Sequence, residues 1–392
     1  MGSVPKRSSK KVMVAGHVCL DITPVFSLKS SIPGISELLA PGKLLNVGTA
    51  EIHTGGAVSN TGLAMKIFGA NVTLAGKIGK DQFGQIVKSI FEKNDCANAL
   101  VITDQADTSY SIVIAIPGID RIFLHNPGAN HTFGEADITE QMLEGIRHFH
   151  LGYPPLMRSM YQNDGRELVS LLKKVKQSGA TTSLDMAAID PKSDAGQVDW
   201  EQILALAMPY VDFFMPSIEE LGYMLDRNRF AQWQEQAKGK DITHILCLEQ
   251  DVRPLANRLL EMGAKALFIK CGVPGAYYRT ANSDFMKKLC AEQDLNASDW
   301  VDKEGFVESY LQPNVVSGTG AGDTSIAAFL TSMLEGKSLV CCVQLAAAAG
   351  ACCVSTLDSL SGLVPLSELE ARIEAGWEKE NIKIDIGNIE KC

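Results

Sequence analysis

The chain has 392 residues, 46% of them apolar and 21% charged, with a formal net charge of −10. Such a composition can bury a large core, and the acidic balance argues against nucleic acid or an anionic membrane as a general partner. No apolar run approaches the roughly 18 residues of a membrane span, and the basic start "MGSVPKRSSK" has no apolar segment behind it, so residues 1–10 read as a disordered tail and not as a secretory signal. "KVMVAGHVCLDI" then reads as a buried strand ending at Asp21, followed by a loop over residues 24–45 with Pro24, Pro33, Gly34, Pro41 and Gly42. "NVGTAEIHTGG" is a partly exposed strand closing on a glycine pair, and "SNTGLAMKIFG" a helix ended by Gly69. "NVTLAGKIG" returns as a strand, and "KDQFGQIVKSIFEKN" carries Phe83, Ile86, Val87, Ile90 and Phe91 at helical spacing.

"TSYSIVIAIP" and "RIFLHNPGAN" face each other across Gly118-Ile119-Asp120, a hairpin signal. From residue 145 strands and helices alternate: "HFHLG", a helix near 163–177, "TTSLD", a helix near 200–208, "VDFFMP" and a helix from Ser217. "KALFIKCG", a strand near Val315, and helices over 322–335 and 338–354 complete the series. This rhythm predicts a parallel sheet with crossover helices on both faces. The hairpin material of the first third does not fit the rhythm and predicts a small β-rich flap beside it. "SDFMKKLCAEQDLNASDWVDKEG", residues 283–305, reads as an insertion. Cys341, Cys342, Cys352 and Cys353 flank an Ala-rich helix and read as small buried residues, not metal ligands, with reduced thiols and a cytoplasmic location.

The chemistry concentrates in "VSGTGAGDTSIAAFL", residues 316–330. Val315 and Val316 read as the end of a strand, and Ile326, Leu330, Met333 and Leu334 as a helical stripe stopped by Gly336. The glycines between would form a strand-to-helix turn at the carboxyl edge of the sheet, where open α/β folds bind ligands. Small residues let backbone N–H groups approach an anion, and the helix N-terminus adds about half a unit of positive charge. Asp323 is then either a first-turn capping carboxylate or a base beside an anion site. A dinucleotide loop needs a third Gly where Asp323 stands, and a P-loop needs a Lys that is absent. A carboxylate beside an anion hole can take the proton of a hydroxyl that attacks a held phosphate.

"SGTGAGDTSIAAFL" and "GGAVSNTGLAMKIFGANVTLAGKIGKDQFG" together resemble the two signatures of the ribokinase-like (PfkB) family of carbohydrate and nucleoside kinases, from about residue 11 to about 365. The resemblance implies a doubly wound, mostly parallel α/β sheet with helices on both faces, plus a small β-sheet lid drawn from segments within about 17–54 and 100–130, all in one domain over 11–380. It implies an ATP- and Mg²⁺-dependent kinase acting on a sugar or sugar-like hydroxyl. Asp323 would be the base, and the amides of Gly320, Ala321 and Gly322 the anion hole. Asp21, Gly55, Gly56, Asn60 and Asn130 would hold the acceptor. On the nucleotide side the family implies Ser217, Glu220, Lys270, Gly272, Gly275 and Thr319, with Glu220 acting on the metal through water. "SIEE" is equally a helix capping box, a reading that stays open here.

This sequence departs from the family where Ser317-Gly318 replaces Asp-Thr, which weakens the case for potassium activation, and where Met186-Ala187 and Ser217 remove two polar groups from the phosphate side. Val58 and Gly62 are also unusual within the first signature. Two other functions remain. A nucleoside kinase would need an aromatic slot near Asp21, for which Phe26 or Phe123 could serve; a catalytically weak or silent sugar- or nucleotide-binding regulator would explain the lost polar groups. The family also leaves a homodimer open, with no nucleic acid or membrane partner.

Overall fold

Val12, Val14 and their neighbours are fully buried because strand β1 (Lys11–Gly16) lies inside a sheet covered on both faces. The computed structural model describes residues 10–26, 40–116, 122–381 and 384–392. The strands that follow are β2 (Cys19–Pro24), β3 (Ala50–Gly55), β4 (Asn71–Gly79), β5 (Val101–Thr103), β6 (Tyr110–Ile114) and β7 (Ile122–Asn126). Next come β8 (Ile146–Gly152), β9 (Thr181–Leu184), β10 (Phe213–Phe214), β11 (Ala266–Lys270), β12 (Gly275–Thr280) and β13 (Glu304–Glu308).

Nine of these strands form one sheet in the order β13-β12-β11-β10-β9-β8-β1-β4-β5. From β11 to β5 every pairing is parallel, and β12 and β13 close one edge as antiparallel neighbours. Period-2 alternation sorts the side chains into two cores. Val12, Val14, Phe213 and Phe268 face the helices Ala57–Ile67, Ala321–Leu334 and Leu339–Cys353. Met13, Ala15, Phe214 and Leu267 face the helices Arg166–Gln177, Trp200–Ala207 and Arg253–Glu261. Helices on both faces explain why the central strands read as continuous apolar runs.

The smaller sheet has the order β3-β2-β6-β7. Asp21 on β2 stands in register between His53 on β3 and Ser111 on β6. The sheet exposes Ile52, Ile122 and Leu124 on one face and Phe123 on the other, the face that carries Asp21 and His125. The N-terminal tail, most of the 24–45 loop and the Gly118-Ile119-Asp120 turn lie outside the described residues.

No strand exists at Val315 and Val316, which are 67% and 45% exposed. The sheet edge is already closed by β13, so this segment runs as irregular chain pinned by the N–H groups of Val316 and Ser317 to the Val354 carbonyl, at 2.7 and 3.2 Å. The glycine turn is therefore a loop-to-helix turn. The 283–305 stretch folds as the helix Asp284–Gln293 and the turn Ala297–Trp300 before β13, with Met286, Leu289, Cys290 and Trp300 buried in the core. At Gly62 a Cβ would lie 2.1 Å from Leu74 Cδ2, so Leu74 would have to turn aside for the helix Ala57–Ile67 to pack this closely onto β4.

Candidate active site

The chain runs outward from β1 to β4 and β5, then returns to build β8 to β11 on the other side, so the strand order reverses between β1 and β8. Ligand crevices of open α/β sheets sit at the carboxyl ends of such a switch point. A cavity of about 660 Å³ lies there, lined by Tyr153, Asp185, Ser217, Lys270, Gly320 and Asp323 among others.

Asp323 occupies the first turn of the helix Ala321–Leu334 and is 4% exposed. Its Oδ2 accepts from Asn60 Nδ2 at 2.9 Å and its Oδ1 from Thr61 Oγ1 at 3.2 Å. The Tyr153 hydroxyl lies 2.8 Å from Oδ1 and 2.7 Å from Oδ2. Asn60 is itself fixed, because its Oδ1 accepts from Ser359 Oγ at 2.9 Å. The turn before the helix needs Gly320: its φ is +80°, and a Cβ would sit 2.3 Å from Ser359 Cβ. Gly320, Ala321 and Gly322 open the helix, where the first N–H groups have no intrahelical acceptor. That of Ala321 makes a long 3.3 Å bond to the Gly318 carbonyl.

Lys270 ends β11 and places its ammonium 2.7 Å from Asp185 Oδ1, with its stem alongside Gly322. Burial disfavours the charge, yet the Asp185, Glu220 and Asp323 carboxylates overcome it and hold the Lys270 pKa above its ordinary value. Burial, reinforced by Glu220 and Asp323, pushes the Asp185 carboxyl up against the pull of Lys270. Ser217 and Glu220 form the reciprocal capping box of the helix Ile218–Leu225: Ser217 N–H donates to Glu220 Oε2 at 2.6 Å and Glu220 N–H to Ser217 Oγ at 3.2 Å. Both still face the cavity, as do Gly272 and Gly275. Thr319 is exposed and stands outside the cavity lining.

On the other side of Asp323 stand the residues expected to hold the acceptor. The Asp21 carboxylate packs on Gly55, where a Cβ would lie 2.1 Å from Oδ2, and Cys19 Sγ donates to Asp21 Oδ1 at 3.3 Å. Gly56 packs equally closely on His17, with a Cβ 2.5 Å from Nδ1. Asn60 contacts Asp323 directly, so it orients that carboxylate. Asn130 is a clamp: its amide donates to the Val18 carbonyl at 2.9 Å and accepts from the Val18 N–H at 3.2 Å. Phe123 is half exposed on the outer lid strand β7, and Phe26 is half-buried beyond β2.

Residues unseen in the sequence reading complete the site: Tyr153, Thr61, Ser359 and His17. The signals were a polar residue inside the buried run "VAGHV" and the Gly-Tyr-Pro-Pro that ends β8. His17 is 2% exposed, and among the described residues neither ring nitrogen has a hydrogen-bond partner. Burial first, then His125 and His131, bring its pKa down to about 3, so the ring is neutral. Its ring centroid lies 5.3 Å from that of His125 and 6.1 Å from that of Tyr153.

The model of pfkB family carbohydrate kinases matches residues 9–365. The chain belongs to this family. It is therefore a phosphotransferase whose acceptor is an alcohol group. A 2-dehydro-3-deoxygluconokinase of Bacillus subtilis is 22% identical over 339 residues, covering 85% of this chain and 90% of that protein. Among solved structures, the fructokinase of Xylella fastidiosa with bound ATP superposes with a TM-score of 0.66 at 18% identity, over 93% of this chain and 98% of the other. An Escherichia coli protein described as a ribokinase II, in complex with ATP and Mg²⁺, superposes with a TM-score of 0.66 at 20% identity, over 93% and 99%. At these identities the structural likeness is one of fold. Among the described residues no helix is long and apolar enough to cross a membrane.

Proposed function

We propose that this chain transfers the γ-phosphoryl group of Mg·ATP to a hydroxyl of a sugar or sugar-like molecule, with Asp323 as the base. One observation carries the reading: a buried carboxylate at the start of a glycine-led helix, inside the cavity, is aimed by Asn60, Thr61 and Tyr153. The acceptor hydroxyl gives its proton to Asp323 as its oxygen bonds to the γ-phosphorus and the bond to the ADP oxygen breaks. Base catalysis of this kind contributes about 10²- to 10⁴-fold. Gly320, Gly322 and Lys270 all line the cavity, with the Lys270 side chain alongside Gly322, so their N–H groups and ammonium would supply donors for the transferred group. Ala321 contributes less while its N–H stays with Gly318.

Glu220 on the cavity wall is a hard oxygen donor, which suits Mg²⁺ held mainly by water and phosphate; among the described residues no three carboxylate, His or Cys side chains cluster closely enough to cage an ion by themselves. Glu220, one oxygen of which is engaged by the Ser217 N–H, would hold the ion through water, and the ion would neutralise phosphate charge. Ala347, Ala351 and Val354 give the cavity an apolar wall suited to a purine. The ATP bound to the Xylella and Escherichia relatives supports this donor. Asp21, Gly55 and Gly56, beside His17, would receive the acceptor under the smaller sheet.

The test is ADP release from Mg·ATP across a panel of sugars, sugar acids and nucleosides. Acceptor-dependent release by the wild type that collapses in Asp323→Asn supports the reading. Tight binding of one compound without turnover would assign a silent binding protein instead.

A further inference from the structure

Tyr153 stands directly on the strand-order reversal, at the end of β8, and its backbone is left-handed at φ 66° and ψ 45°. Pro154 and Pro155 follow, so the main chain there is stiff and only the side chain can swing. The phenol carries one proton, yet it lies within 2.8 Å of both Asp323 oxygens. A single proton shared between two acceptors makes a poorer bond than one aimed at either. Asn60 and Thr61, by contrast, belong to the packed helix Ala57–Ile67, and Asn60 is pinned by Ser359. Of the three side-chain donors on the base, Tyr153 is the one whose geometry lets it leave.

A carboxylate offers about four acceptor sites, and Asn60, Thr61 and the two-way contact of Tyr153 occupy them, so an arriving hydroxyl needs one vacated. The buried, unpartnered imidazole of His17 lies beside the phenol ring. A buried polar group without a partner is costly, and native structures keep few of them. We propose that Tyr153 is a positioning residue with two resting places: on Asp323 in the absence of acceptor, where it denies the base to water, and on His17 once an acceptor hydroxyl has displaced it. Neutral His17 has one nitrogen that accepts, which the displaced phenol would use. Burial, with Asp323 beside it, raises the phenol pKa well above its ordinary value, so Tyr153 remains a donor in both positions.

The proposal rests on Asp323 being the base. It matters because water in the phenol's place could give its proton to Asp323 while its oxygen bonds to the γ-phosphorus and the bond to ADP breaks, releasing inorganic phosphate. The experiment measures phosphate release from Mg·ATP with no acceptor present. Tyr153→Phe, which keeps the ring, should release phosphate about tenfold faster than wild type, the rate equivalent of one hydrogen bond. Adding Asp323→Asn should remove that gain, and His17→Leu should raise the acceptor KM several-fold. Phosphate release in a folded Tyr153→Phe no faster than in wild type, or a gain that survives Asp323→Asn, would overturn the proposal. The phosphate-release arm needs no acceptor, so failure of the acceptor panel counts against the proposed function and leaves that arm to judge the proposal; an unchanged acceptor KM in a folded His17→Leu would overturn the His17 resting place.

Discussion

Replacing Gly320 by Ala probes how firmly the fold aims the base. The added Cβ would meet Ser359 Cβ at 2.3 Å, where ordinary contact begins near 3.4 Å, so Ser359 or the turn must retreat by about 1 Å. Ala would also have to hold φ near +80°, at a cost of about 1–2 kcal/mol. The displacement does not stop at Ser359. Its hydroxyl donates to Asn60, and Asn60 donates to Asp323, so the shift reaches the carboxylate through two hydrogen bonds. A misplacement of about 1 Å at a reacting group costs on the order of 10²-fold in rate. Gly320→Ala should therefore lose about 1–3 kcal/mol of stability and about 10²-fold in kcat. Denaturant unfolding gives the first quantity and steady-state acceptor phosphorylation the second. A variant with kcat within threefold of wild type would refute the Ser359–Asn60–Asp323 linkage.

Other consequences follow from the same structure. His17, His148 and His150 are held near pKa 3, chiefly by burial, so each takes up a proton on unfolding between about pH 3 and 6.5. Stability should thus rise with pH across that window, each group contributing a slope of up to about 1.4 kcal/mol per pH unit. His17→Leu should flatten the slope by one such share, and identical slopes by urea titration would contradict it. Lys270→Met leaves Asp185 buried without its cation, which should cost about 3 kcal/mol, less where the carboxyl can take a proton. Because burial already pushes the Asp185 carboxyl up, that deficit should grow as pH rises. A deficit that shrinks with pH would count against the buried pair. Exchange of K⁺ for Na⁺ should change turnover less than twofold, since Ser317-Gly318 stands where the family signature has Asp-Thr; strict potassium dependence would reverse that inference.

The turn that opens the helix Ala321–Leu334 was legible because its logic is local. Gly320, Gly322 and Asp323 lie in one turn, where a small-residue approach, a helix N-terminus and a carboxylate can be read from adjacent letters. The sheet was legible for a similar reason, since strands covered on both faces give unbroken apolar runs. What stayed hidden depends on distant parts of the chain. Tyr153 meets Asp323 across 170 residues and Asn60 meets Ser359 across 299, and nothing local in a tyrosine before two prolines announces a carboxylate partner. Asn130 grips the Val18 backbone through one donated and one accepted bond across 112 residues, a contact that its own neighbourhood does not announce. Val315 and Val316 misled because a β-branched pair satisfies a strand pattern whether or not a neighbouring strand has room for it. Ser217 and Glu220 show that a capping box and a place on the cavity wall can belong to the same residues.

The central claim is that Asp323 takes the proton of an acceptor hydroxyl that attacks the γ-phosphorus. Its most direct test follows radiolabel from γ-labelled ATP, in the presence of the acceptor selected by the panel, in wild type and Asp323→Asn. The account predicts label on the acceptor at a rate at least about 10²-fold lower in the variant, with ATP binding retained. Label transfer at equal rates in the two proteins, or label appearing only as inorganic phosphate in the wild type, would contradict it.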